Sequence, residues 1–244
     1  LKRISTSDSR MNKQPSNPND PGRPEAGAAR RINKSREERL SELIRAASEV
    51  VTEKGVNSFK VKDVADRIGI GRGTLYEFIQ TKSDIVFLAL ESQIHEAIEN
   101  LEAGTREIAD PLAALQAAVR SHLEYISRNP KMLWVLYQQS TPLRKSQFQE
   151  IFALIDSYNG IFKSIIEAGR RDGVFDVADP YLVAHSIATM LNTWVIKKSY
   201  LNYQFDIEDY ERKMSRIIVQ GLLDLDGEKA IRNLERFRAL YAVE

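Results

Sequence analysis

Between residues 40 and 51, Leu40, Leu43, Ile44, Ala47, Val50 and Val51 recur at intervals of three and four, the spacing that lines apolar side chains along one face of an α-helix. Later apolar segments keep that interval, and the period-two alternation of a half-buried strand is absent apart from very short runs. A chain patterned in this way buries its apolar surface helix against helix, so the expected fold is all-α. The first helix should stop at Gly55, directly after Lys54, because glycine enters a left-handed C-cap without a Cβ clash. A second, short helix is predicted over 61–68, with Val61, Val64, Ala65 and Ile68 inward, and a third over about 72–79.

Longer helices follow. Ser83 and Asp84 read as capping or acidic residues at the start of a helix reaching about Leu101. Asp110-Pro111 pairs a capping residue with proline at the first helical position, and that helix ends before Asn129-Pro130. Further starts are predicted at Pro130, Pro142 and Asp179-Pro180, with stops at Gly173 and near Asn202. Two closing helices run from about Asp206 to Leu225 and from Glu228 onward. Residues 1–33 are rich in Ser, Asn, Pro, Gly and Arg with almost no apolar content, the composition of a disordered basic arm. Met11 is a candidate start, which makes residues 1–10 an upstream extension.

No apolar run approaches the ~18 residues of a membrane span, and the first residues lack the apolar stretch of a signal peptide. With no cysteine in the chain, disulfides, thiolate metal sites and cysteine nucleophiles are excluded. A cytoplasmic protein is the simplest reading. The net charge of +1 hides an asymmetry: residues 1–83 hold 17 Lys/Arg against 11 Asp/Glu, and the remainder 18 against 23. A basic first third on an acidic body suits a polyanionic partner that meets only the first part.

The stretch RIGIGRGTLYEF at 67–78 carries glycines at 69, 71 and 73. A dinucleotide-binding loop needs G-x-G-x-x-G between a strand and a helix; here the spacing is G-x-G-x-G and the preceding VKDVADRI is helical. A phosphate-cradling G-x-x-x-x-G-K-[ST] cannot be placed on these glycines either. A helix-turn-helix fits both spacing and context. Gly69 ends one helix, Ile70 plugs the turn, and Leu75 and Ile79 face the core, leaving Arg72, Gly73, Thr74, Tyr76 and Glu77 outward or at the N-terminal end. Recognition helices present such residues to base edges in the major groove.

These residues resemble the DNA-binding domain of the TetR family of bacterial transcriptional regulators. The likeness rests on an apolar first helix ending in E-K-G, on D-V-A-x-x-x-G-I at 63–70, on G-T-L-Y at 73–76 and on Lys82 opening the next helix; it covers roughly residues 34–90. The resemblance implies a helix-turn-helix DNA-binding domain of three helices over 34–81 and a helical ligand-binding and dimerisation domain over 82–244. It implies base readout from Arg72 and Thr74, a backbone phosphate contact from Tyr76, close approach at Gly73, and a phosphate facing Lys82. Three positions depart from the family pattern. Lys60 stands where Thr or Ser usually caps the second helix, with Ser58 a partial substitute. Phe78 replaces a polar His or Tyr, and Ile79 replaces Phe. Glu77 is also unfavourable near phosphates, for which Lys60 and Lys62 could compensate electrostatically.

The same resemblance implies a homodimer on a palindromic double-stranded operator, released by a small hydrophobic or amphipathic effector. A repressor is the leading reading and an activator the alternative. Aromatics of the body supply candidate effector contacts: His122, Tyr125, Trp134, Tyr137, Phe152, Tyr158, Phe162 and Trp194. Two apolar stripes, one of Val183, Ile187, Met190, Leu191, Trp194 and Val195 and one of Ile217, Ile218, Gly221, Leu222 and Leu225, serve either a dimer face or the intrachain core. The rival readings are a helical enzyme and a protein-interaction scaffold. His95, His122 and His185 form no metal-ligand pair by spacing, and Asp206, Glu208, Asp209 and Glu211 complement a helix dipole. No catalytic residue, metal or cofactor is therefore assigned.

Overall fold

In the computed structural model, residues 35–137, 143–226 and 228–241 are described. The predicted arm at 1–33 and the predicted helix start at Pro142 lie outside them. Eleven helices occur among the described residues: α1 Arg36–Lys54, α2 Val61–Ile68, α3 Arg72–Tyr76, α4 Lys82–Thr105, α5 Pro111–Arg128, α6 Pro130–Tyr137, α7 Lys145–Arg171, α8 Pro180–Ile196, α9 Lys198–Leu201, α10 Ile207–Leu222 and α11 Ala230–Leu240. Extended structure among them is limited to an isolated antiparallel bridge between Phe175 and Leu223. None of the described helices is long and apolar enough to cross a membrane.

Helix ends follow local chemistry. Ser35 Oγ accepts from the Glu38 N–H at 3.1 Å, and Glu38 accepts from the Ser35 N–H at 2.8 Å, a reciprocal capping box that starts α1. Gly55, Gly69 and Gly173 all have positive φ, as helix stops require. Ser58 does not replace the missing cap of α2. Asp63 accepts from the Lys60 N–H at 2.7 Å and pairs with the Lys54 ammonium at 2.8 Å, so half a box starts the helix without a hydroxyl. The start of α4 also differs from expectation. Thr81 is its N-cap, accepting from the Asp84 N–H, while Asp84 accepts from the N–H groups of Thr81 at 2.8 Å and Gln80 at 3.0 Å. The helix runs one turn past Leu101, to Thr105.

Two apolar cores result. Leu43, Val50, Val51, Val64, Leu75 and Ile79 are buried where α1, α2 and α3 meet. That cluster continues through Ile85, Val86, Leu90 and Ile94 of α4 and takes in Met132 and Val135 of α6 and Ile151 of α7. The second core is built from α5, α7, α8 and α10 around Leu115, Val119, Phe162, Ile166, Leu191 and Ile218. Both predicted dimer stripes contribute mainly to this core: Ile187, Leu191, Trp194, Val195, Ile218 and Leu222 are buried within the chain. Of the stripe residues, Met190, Ile217 and Leu225 stay outward, and Tyr181 and Leu182 at the start of α8 are exposed beside them in sequence. Helix α8 is apolar on more than one face, and a three-to-four spacing does not say which face meets the chain's own core.

Candidate nucleic-acid interface and effector cavity

The turn between α2 and α3 is set by one glycine. Gly69 sits at φ 67° and ψ 41°, and the Ile70 N–H closes the turn on the Ala65 carbonyl at 3.1 Å. Gly71 has φ −67° and ψ 153°, an extended conformation open to any residue. A Cβ at Gly73 would meet no described residue within 4 Å. Gly69→Ala is therefore expected to destabilise the fold by about 1 kcal/mol, the cost of a side chain in the left-handed region. Gly73→Ala should leave thermal stability equal or slightly raised, because alanine is the better helix former, yet weaken DNA binding. Paired melting and fluorescence-anisotropy titrations check both, and undiminished DNA affinity in Gly73→Ala would remove the close-approach role.

Arg72, Gly73 and Tyr76 are exposed on α3, Tyr76 by half its surface, and Thr74 is half-buried. Arg72 forms no ion pair with any described residue. Leu75 and Ile79 are buried beneath them, and Phe78 is partly buried against the same core, so its ring packs where a polar residue would have faced outward. The Lys82 ammonium donates to the Asn57 carbonyl at 3.2 Å and lies 4.5 Å above the Phe59 ring, which fixes a positive charge beside the α1–α2 loop. Lys60 is exposed, and exposed Lys62 stands 3.8 Å from Asp66. Arg67 braces the unit from behind, donating to Glu49 at 2.8 Å and to Glu53 at 2.5 Å.

A cavity of about 310 Å³ lies among α4, α5, α6, α7 and α8. His122, Tyr125, Tyr137, Phe152 and Tyr158 line it. The other three candidates do not. Trp134 is exposed on α6; Phe162 is buried behind His122, with ring centroids 6.1 Å apart; Trp194 stacks on Tyr210 and donates to the Ser127 hydroxyl at 3.0 Å. His185 joins His122 in the wall, a convergence of two histidines that their sequence separation did not indicate, whereas His95 is exposed.

The wall carries a directional hydrogen-bond chain. The Tyr158 hydroxyl meets His122 Nδ1 at 2.7 Å, His122 Nε2 meets Asn192 Oδ1 at 3.1 Å, and Asn192 Nδ2 donates to the Tyr137 hydroxyl at 3.1 Å. An amide oxygen can only accept, so with Asn192 Oδ1 facing the imidazole the proton sits on Nε2, and Nδ1 accepts from Tyr158. Burial pushes the His122 pKa down to about 4, although the hydrogen bond with Asn192 opposes it, and burial raises Tyr158 and Tyr125. These groups are all uncharged near neutral pH.

Residues 43–89 match the family model of the bacterial regulatory proteins of the tetR family, and residues 109–196 match the tetracyclin repressor-like C-terminal domain. The chain belongs to the TetR family of bacterial transcriptional regulators. The regulator HbdR of Aromatoleum sp. (strain CIB) is 20% identical over 200 residues, covering 82% of this chain and 87% of that one. The fatty acid metabolism regulator protein of Bacillus subtilis (strain 168) is 21% identical over 194 residues, covering 78% and 98%. The crystal structure of FadR from Bacillus subtilis in complex with stearoyl-CoA superposes with a TM-score of 0.64 at 21% identity, covering 75% of this chain and 98% of that chain.

Within this TetR-family fold, Asn159, His185 and Asn192 also line the cavity, and no spacing motif in the sequence joins them. Asn192 did leave a trace: it lies one turn after Ala188 and one position after Leu191, on a helix face otherwise apolar. A polar residue there needs a buried partner, and its partners prove to be His122 and Tyr137.

Proposed function

We propose that the chain is a dimeric repressor that reads a palindromic operator through residues 34–81 and leaves it when a small apolar or amphipathic effector enters the cavity of residues 82–244. The DNA contacts would come from Arg72 and Thr74 at base edges and from Lys60, Lys62, Gly73, Tyr76 and Lys82 at the backbone. His122, Tyr125, Tyr137, Phe152 and Tyr158 would contact the effector. The observation that carries this reading is a shared wall. Leu90, Ile94 and Met132 line the cavity and also belong to the core beneath the helix-turn-helix. A ligand that repositions them reshapes the support of α3, and by linkage DNA and effector then oppose each other's binding reciprocally. The stearoyl-CoA held by the FadR fold relative supports an effector with an apolar portion.

The test is anisotropy titration of purified protein against duplex fragments from upstream of its own gene, at fixed salt. One fragment should bind on the order of 10³-fold tighter than random duplex, as a species of twice the 27.8 kDa chain mass. Ligand recovered from the protein by native mass spectrometry should release it. Equal affinity for every fragment and for random duplex would overturn the regulator reading.

A further inference from the structure

The hydrogen-bond chain across the cavity has a direction, and it ends on a donor. Tyr158 donates a hydrogen bond to His122, His122 to Asn192, and Asn192 to the oxygen of Tyr137. Among the described residues nothing accepts the hydrogen of the Tyr137 hydroxyl. Tyr137 is 45% exposed and lines the cavity, whereas at the other end His122 is buried and Tyr158 partly buried. The hydroxyl is polarised as well, since its oxygen already accepts one hydrogen bond and donors in such chains strengthen one another.

The rest of the wall bears on charge. The described residues that line the cavity include no lysine, arginine, aspartate or glutamate; their polar members are amides, phenols, a threonine and the two histidines. His122 is held neutral by its burial. His185 has its Nδ1 3.0 Å from Asn159 Nδ2 and its Nε2 3.4 Å from the Asp156 carboxylate, and the Tyr181 hydroxyl donates to Asp156 at 3.1 Å. Its Nδ1 is taken by Asn159, and its Nε2, which makes no hydrogen bond, faces the Asp156 carboxylate, whose negative charge opposes an anion there. A carboxylate placed inside would be desolvated without a cation, which proteins avoid.

Resting on the effector reading above, we propose that the part of the ligand entering this cavity is uncharged and carries a carbonyl-type acceptor, taken by the Tyr137 hydroxyl. Ketones, esters, thioesters and amides share that chemistry, while a free carboxylate does not fit. The apolar remainder of the molecule packs on Leu133, Leu136 and Phe152.

Three probes of matched length separate the contributions: 2-undecanone, its isostere 2-methyl-1-undecene with CH₂ in place of the oxygen, and undecanoate. Each competes with the uncharged dye N-phenyl-1-naphthylamine for the full-length protein at pH 7.5. The ketone should bind roughly five-fold tighter than the alkene, the value of one neutral hydrogen bond, and undecanoate at least ~ten-fold weaker than the ketone. Tyr137→Phe, on a half-exposed side chain that tolerates the change, should abolish the ketone's advantage while leaving the alkene unchanged. A ketone-to-alkene ratio near unity in the parent protein, a ratio that survives Tyr137→Phe, or undecanoate binding as tightly as the ketone would each overturn the proposal while the cavity reading stands. If no probe displaces the dye, or if displacement is the same in Ala97→Trp, where an indole would occupy the cavity, the cavity reading fails and the proposal falls with it.

Discussion

Arg72→Ala combined with Tyr76→Phe is expected to lower operator affinity on the order of a hundred-fold or more, with thermal stability almost unchanged. Both side chains are exposed on α3 while Leu75 and Ile79 carry its packing, so their loss should stay within about 0.5 kcal/mol of stability. On the proposed dimer, an arginine at base edges would be worth about 1–3 kcal/mol and would be lost at both half-sites, which doubles the figure. Lys82 should behave differently. Lys82→Met keeps an apolar stem over Phe59 but removes the ammonium that sits by Asn57. It should weaken operator and random duplex alike and reduce the slope of log K against log salt by about 0.9 per subunit. The measurement is a salt series on operator and random duplex for each variant. If Arg72→Ala alone loses affinity equally for both duplexes, its role is phosphate contact and base readout moves to Thr74.

The helix-turn-helix was legible because its information is local. Val64, Ala65, Leu75 and Ile79 are within sixteen residues of one another, and a single positive-φ glycine sets the turn. The cavity was only half legible. Aromatic side chains at helical spacing fit a core or a pocket equally well, and which they do depends on five helices meeting. Phe162 and Trp194 went to the core, while Tyr137 and Tyr158 went to the cavity. Position along one helix does not separate these outcomes. The junction at Asp84 was legible only in part for the same reason. Asp84 reads as a helix-start acid in any sequence window, but its carboxylate also reaches Arg144 and Gln147, sixty residues away.

That junction leads to the second large expectation: Asp84→Ala should uncouple the effector from DNA release. Asp84 Oδ2 accepts from Gln80, Thr81 and the Thr81 hydroxyl, and so fixes the start of α4 directly after the recognition helix. Its Oδ1 accepts from Arg144 at 2.6 Å and from Gln147 at 3.0 Å, and Gln147 opens α7, which carries Phe152, Ile155 and Tyr158 into the cavity. One carboxylate thus ties the ligand-lining helix to the first turn of α4. Removing it should cost about 1–2 kcal/mol through the lost cap; Arg144 is more than half exposed and adds little. Operator affinity without effector should change less than ~three-fold, since no DNA-facing residue is altered and surface effects of that size are ordinary. The effector concentration needed for release should rise, because α7 keeps its packing on α4 but loses its hydrogen bonds to the carboxylate in the first turn of that helix. Acid should mimic the substitution. Burial raises the Asp84 pKa, but the hydrogen bonds from Gln80, Thr81 and Arg144 outweigh it and hold the group below its usual value. A depressed carboxyl contributes stability above its unfolded value of about 3.9 and loses it as the pH falls through the lower folded value. Unfolding curves of the parent protein and Asp84→Ala should therefore differ at pH 7 and converge as the pH drops below that range. A variant released by effector at the parent's concentration would show that the signal travels through the shared wall of Leu90, Ile94 and Met132 alone.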